Sequence, residues 1–154
     1  MEYLHVFTDR PHLAYLGPCD PARPQPGRAP DEEADRLENT VLSAYLAHLE
    51  AEGHRVVRHR VVTAPELAST DLVDATTDEL VMAWHRTHYL ALIAALGVIS
   101  DCARLFPRHR RALLLTTAPG TFVQDFLSYH KIIAIWPENG VFVRAEPEPE
   151  GSAP

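Results

Sequence analysis

Eleven consecutive residues, Tyr89 to Ile99, carry no charged or amide side chain, and no other stretch constrains the fold as tightly. The run is well short of the roughly 18 to 20 apolar residues that a membrane-spanning helix needs. A segment so uniformly apolar has to be covered by protein, so it predicts a helix buried in a folded domain. Directly before it stands Trp84-His85-Arg86-Thr87-His88, which puts two imidazoles where that helix enters the core.

The composition allows an interior large enough to receive such a helix. At 154 residues, 46% hydrophobic and 23% charged, the chain fits one globular domain that folds without disulfide or metal staples. Cys19 and Cys102 are far apart and form no C-x-x-C pair. Neither a zinc ribbon nor a dithiol centre is expected, and a reducing, cytoplasmic setting is favoured over an oxidising one. The amino terminus lacks the basic start and apolar core of a secretory signal. A net charge of -7 repels polyphosphate and argues against broad nucleic-acid binding, and with no apolar run long enough to span a bilayer no membrane partner is expected either.

Periodicity and punctuation then divide the chain. Tyr3 to Phe7 reads as a short strand, and residues 11–30 hold six prolines and two glycines, which no regular element survives. Loops of that length are functional covers or disordered segments. Asp31, Glu32, Glu33 and Asp35 crowd the first turn of a helix that should run to about Glu52, with a stripe of Leu37, Val41, Ala44, Tyr45, His48 and Leu49 and a left-handed stop at Gly53. His54 to Val62, interrupted by Arg55, Arg58 and Arg60, reads as a strand near a sheet edge. Thr63 with Glu66, and Thr76 with Glu79, have capping-box spacing. They predict a short helix across Pro65 to Val73 and a long one from Thr76 to about Phe106, which Pro107 follows.

After the charged connector Arg108 to Arg111, Ala112 to Thr116 is apolar on both faces and belongs in the middle of a sheet. Thr121 to Tyr129 reads as a helix and Ile132 to Trp136 as a strand. Asn139-Gly140 marks a hairpin into a last strand, Val141 to Ala145. From Glu146 onward, proline and acid alternate in a tail too polar to pack.

The predicted fold is therefore α/β: one domain over residues 1–145, with a mixed sheet of about five strands flanked by helices in two or three layers and a C-terminal β-hairpin. The succession of long helix, strand, helix and strand resembles the anti-sigma-factor-antagonist (STAS-like) arrangement, and a Rossmann-like layering is the other reading of the same order. Either resemblance concerns architecture alone, since fold does not imply function.

Two segments could carry chemistry. With both on one helix, His85 and His88 would project to neighbouring positions near its buried side, where an imidazole needs a hydrogen-bond partner. They suit a metal site, a general acid and base, or contact with a polar ligand. The ordinary alternative is a pair of core or interface histidines satisfied by other side chains. No third ligand stands at a recognised metal spacing, although Asp9, His12, Cys19 and Asp20 are available, and H-x-x-H lacks the glutamate of H-E-x-x-H. No metal and no cofactor is expected.

The second segment, Thr116-Thr117-Ala118-Pro119-Gly120-Thr121, joins a buried strand to a helix, where free backbone N–H groups face the space above a sheet. It matches no nucleotide fingerprint, and a helix cap from Thr117 or Thr121 is the simpler reading. Asp9 and Arg10 would reach the same edge if the first strand runs parallel to the buried one. The leading expectation is thus a binding or regulatory module without catalytic activity, acting through protein association such as a homodimer built on the 89–99 helix. The alternative is a small-ligand binder or enzyme. Its catalytic candidates are His85, His88 and Asp9, and its ligand-binding candidates are Arg10, Thr116, Thr117, Gly120 and Thr121.

Overall fold

Three acidic side chains, Glu32, Glu33 and Asp35, open helix α1 (Glu32–Ala51), where they complement the unpaired N–H groups of its first turn. Gly53 ends it in the left-handed region at φ 80°, with Gly53 N–H donating to Glu50 C=O at 3.1 Å and His54 N–H to Leu49 C=O at 2.9 Å. The computed structural model describes residues 2–3, 32–58, 60–62, 67–69 and 71–147. Asp9, Arg10, the proline-rich segment 11–30 and the tail beyond Pro147 lie outside the described residues.

Strands β1 (Glu2–Tyr3), β2 (Val56–Arg58), β5 (Leu72–Asp74), β6 (Glu79–Trp84), β7 (Arg110–Leu115), β8 (Ile132–Glu138) and β9 (Val141–Ala145) form one sheet in the order β1-β2-β5-β6-β7-β8-β9. β3 (Arg60–Val62) and β4 (Leu67–Ser69) pair separately. β6, β7 and β8 are parallel, whereas β5 lies antiparallel to β6 and β9 to β8. The parallel strands are joined by α2 (Tyr89–Ala103) and α3 (Thr121–Tyr129). The protein is a single α/β domain with a mixed sheet.

The sheet has helices on both faces. Val41, Leu42, Tyr45 and Leu49 of α1 pack on Val81, Ala83, Ala112, Leu114, Ile133 and Ile135. On the other face, Leu92, Ala95 and Ile99 of α2 and Val123 and Leu127 of α3 cover Met82, Trp84, Leu113, Leu115 and Ala134. Alternate residues of β7 thus serve opposite cores, which explains its unbroken apolar run.

Several expectations need correction. The long helix from Thr76 does not form. Residues 75–78 are a turn with Asp78 at φ 54°, and Glu79 to Trp84 is a six-residue strand buried throughout. Thr76 does not cap a helix; its hydroxyl accepts from Arg55 N–H at 2.8 Å. The short helix across Pro65 to Val73 is also absent from the described part of that span, where 67–69 and 72–74 are strands. At Thr76 and Glu79 tertiary burial outweighed the capping signal: a run apolar on both faces is worth more in the middle of a sheet than as a helix with one wet side, whereas Thr63 and Glu66 lie outside the described residues. Among the described residues the mixed sheet counts seven strands, the two-residue β1 included, and β2 and β3 divide the expected strand 54–62.

The α1 stripe is also rotated. Ala34 and Glu38 are buried while Ala44 is exposed, which turns a glutamate toward the sheet. In the charged connector Arg108 to Arg111, Arg108 and Arg110 are exposed while His109 and Arg111 are half-buried. Arg111 donates to His130 C=O at 2.7 Å and to Ser100 Oγ at 3.1 Å, and Arg110 pairs with Glu79. Glu146, placed in the tail on composition, makes ion pairs with Arg110 at 2.9 Å and Arg144 at 3.1 Å.

Candidate functional site

The carboxyl ends of β6 and β7 lie side by side, with Trp84 opposite Leu115, and the loops that leave them carry most of the sequence-predicted site. Position above the ends of parallel strands is where α/β sheets commonly hold ligands, because the chain there turns away and exposes backbone donors. His85 is the first residue past β6 and Thr116 the first past β7. His85 Nδ1 and Thr116 Oγ1 are 2.7 Å apart, a hydrogen bond whose direction depends on the ring tautomer. If the hydroxyl donates to Nδ1, the ring proton resides on Nε2 and that edge of the imidazole presents a donor; the opposite tautomer presents an acceptor.

Two carboxylates fix the strand exit that carries the histidine. β5 begins at Leu72, opposite Val81, so beyond that point the ladder is continued by a side chain: Asp71 Oδ2 accepts from Ala83 N–H at 2.8 Å. From the other face, Glu38 of α1 accepts from His85 N–H through Oε1 at 2.7 Å. Glu38 is only 8% exposed. Its bond to a backbone donor offsets part of the cost of burying a carboxylate and pins the backbone of His85 to α1.

His88 does not share a helix face with His85, since both precede α2. It is the N-cap of α2, with φ -72° and ψ 156°, and its Nδ1 accepts from Ala91 N–H at 3.4 Å, a long and weak bond. His85 is half-buried and His88 exposed, so the expectation that both approach the buried side fails because they lie in the strand-to-helix loop. On the second loop Thr117, Gly120 and Thr121 are exposed. Neither threonine caps α3: Gly120 is its N-cap with no side-chain bond, and Gln124 Nε2 instead donates to Pro119 C=O at 3.0 Å. Val123 N–H and Gln124 N–H both donate to Gly120 C=O, at 3.0 and 3.1 Å, which leaves the N–H groups of Thr121 and Phe122 as the helix start that receives no side-chain cap. Asp9 and Arg10 lie outside the described residues, and among the described residues no group of three or more His, Cys, Asp or Glu could hold a metal ion.

Sequence reasoning missed Glu38 and Asp71. A signal for Glu38 existed: it stands four residues from Ala34 and from Leu42, and seven before Tyr45, all buried with it on one helix face. Asp71 gives no such signal, because its role depends on where β5 starts.

The opposite end of the sheet holds a second polar cluster. Glu79, 1% exposed, receives Arg144 through two hydrogen bonds, at 2.7 and 3.0 Å, as well as Arg110. The hydrogen bond to Glu79 raises the Arg144 pKa against the effect of burial, so this cation stays charged. Burial pushes the nearby Tyr45 phenol up to about 12. Asp74 lies with His54 Nδ1 at 2.6 Å, Thr76 N–H at 2.9 Å and the Thr77 hydroxyl at 2.9 Å. Burial works against its ionisation, yet the bonds from His54, Thr76 and Thr77 outweigh burial and hold its carboxyl below the usual range. Every charge named in this cluster has a partner, and its form is that of a structural clasp. Among the described residues no helix is long and apolar enough to cross a membrane. Comparison of the chain with protein-family models, curated proteins and solved structures finds no match.

Proposed function

We propose that this protein is a small-ligand-binding α/β module, and that its ligand presents a carboxylate or phosphate group to the edge formed by His85, Thr116, Thr117 and the start of α3. The observation that carries this reading is the 2.7 Å contact between His85 Nδ1 and Thr116 Oγ1. It joins two loops 31 residues apart in sequence and turns the remaining ring nitrogen away from the hydroxyl. The sequence favoured protein association; convergence of the histidine with the threonine turn moves ligand binding ahead of it. Uncapped N–H groups at a helix start, the Thr117 hydroxyl and, in the tautomer in which Thr116 donates to Nδ1, the His85 Nε2–H are able to donate to an anionic oxygen, and Glu38 already accepts from the His85 backbone.

Thermal melting in rising inorganic phosphate tests the reading. A ligand that binds only the folded state stabilises it by an amount that grows with the logarithm of concentration above Kd. The wild type should gain melting temperature saturably, and His85→Gln and Thr116→Val should lose that gain while melting normally without phosphate. An equal rise in all three proteins would be the general salting effect of phosphate and would overturn the proposal.

A further inference from the structure

The first three turns of α2 bury Ala91, Leu92, Ala95 and Ile99 against the sheet, yet the outward side of the same turns is also apolar. Leu90 is 72% exposed, Tyr89 57% and Ile93 41%, with Ala94 and Gly97 exposed along the same stripe. Helix α3 extends the surface. Phe122 is 56% exposed and Tyr129 81%, and ring contacts run without a break from Tyr89 to Phe122 and Phe126, then to His130 and Tyr129, at centroid distances of 4.6 to 6.5 Å.

We infer that this α2/α3 face is the contact surface of a two-fold homodimer, in which α2 of one protomer crosses α2 of a second copy at Ala94 and Gly97. The size of the face argues for this occupant. An aromatic side chain offers roughly 150 to 250 Å², so at these exposures the five large side chains leave on the order of 600 Å² of apolar area in water. That equals the upper end, roughly 600 Å², of the largest patch on an ordinary monomer. With Ala94, Gly97 and the partly buried Phe126 it approaches the roughly 800 Å² per partner of a standard interface.

Chemistry points to a second copy. None of these side chains carries a fixed charge, and interfaces between identical chains are the most apolar class, whereas a heterologous acidic or basic partner would need complementary charge. The face can also match itself across a two-fold axis, which a dimer of identical chains requires. Gly97 supplies a further reason. A Cβ placed there meets nothing within 4 Å, so packing inside the chain does not require glycine, and glycine weakens a helix relative to alanine. A closely approaching helix from a second copy accounts for it.

Light scattering after gel filtration, run over a series of concentrations, tests this independently of ligand binding. The wild type is expected at twice the chain mass of 17.2 kDa. Leu90→Glu with Ile93→Glu should give a monomer with unchanged far-ultraviolet circular dichroism and a dissociation constant at least ~100-fold weaker, because carboxylates would be buried unpaired. Gly97→Leu raises helix propensity, so it should fold at least as well while blocking the close crossing; if the double variant misfolds, Gly97→Leu decides. A wild type that stays monomeric would overturn the inference. So would a dimer that persists in both variants, or a face protected by another segment of the same chain or by a different protein.

Discussion

Replacing Glu79 by glutamine keeps its shape and removes its charge, and the structure sets what that should cost. The carboxylate is buried and receives Arg144 through both oxygens and Arg110 through one. Its loss leaves the two guanidinium groups bridged by Glu146, at 2.9 and 3.1 Å, with the Tyr45 hydroxyl at 3.5 Å from Arg144. Breaking a fully buried pair costs about 3 to 5 kcal/mol. Here Arg110 is 53% exposed and Arg144 33%, so both cations partly rehydrate and the expected loss falls to about 2 to 3 kcal/mol. For a domain of this size that is a drop of roughly 5 to 10 °C in melting temperature.

Urea unfolding of the wild type, Glu79→Gln, Arg144→Leu and the double variant measures it, with coupling between the two sites expected at about 1 to 2 kcal/mol. A loss below about 0.5 kcal/mol, the ordinary range for surface changes, would refute the argument that Glu79 anchors the start of β6.

Asp74 gives a pH signature. Its folded pKa is depressed, so the stability it contributes is complete above its unfolded value near ~4 and is lost as pH falls through the lower folded value. Asp74→Asn should therefore be less stable than wild type at neutral pH and lose less on acidification, as urea midpoints across pH would report. Burial raises the Cys102 thiol to about 11; in a Cys19→Ser background an aromatic disulfide reagent at pH 8 should find no reactive thiol until denaturant is added. Leu114, fully buried between strands, should cost about 3 to 4 kcal/mol as alanine, the range for a cavity that cannot collapse.

The parts of this fold legible from sequence were those where local and tertiary signals agree. α1 has acids at its start and a left-handed glycine after its end. β7 is apolar on both faces, and Asn139 and Gly140, at φ 51° and 81°, turn β8 back into β9. Residues 76–84 were misread because Thr76 and Glu79 imitate a helix start, while the facts that decide the matter are distant: Arg110 and Arg144 neutralise Glu79, and β5 and β7 flank the strand. The same error put His85 and His88 on one helix. The loop from Thr116 was recognisable as a strand-to-helix junction, but its contact with His85 depends on β6 and β7 being parallel neighbours in register, which no local pattern encodes. Glu38 illustrates the remaining gap, since a charged residue on an apolar stripe is noticeable only once the stripe's phase is known.

The most direct test of the ligand-binding reading is a titration of isotopically labelled protein with inorganic phosphate, followed through backbone amides and the histidine ring resonances. The account predicts saturable shifts concentrated at His85, Arg86, Thr116, Thr117, Gly120 and Thr121 and in the His85 imidazole, abolished by Thr116→Val. Shifts that do not saturate, or that centre instead on Arg110 and Arg144 at the other end of the sheet, would contradict it.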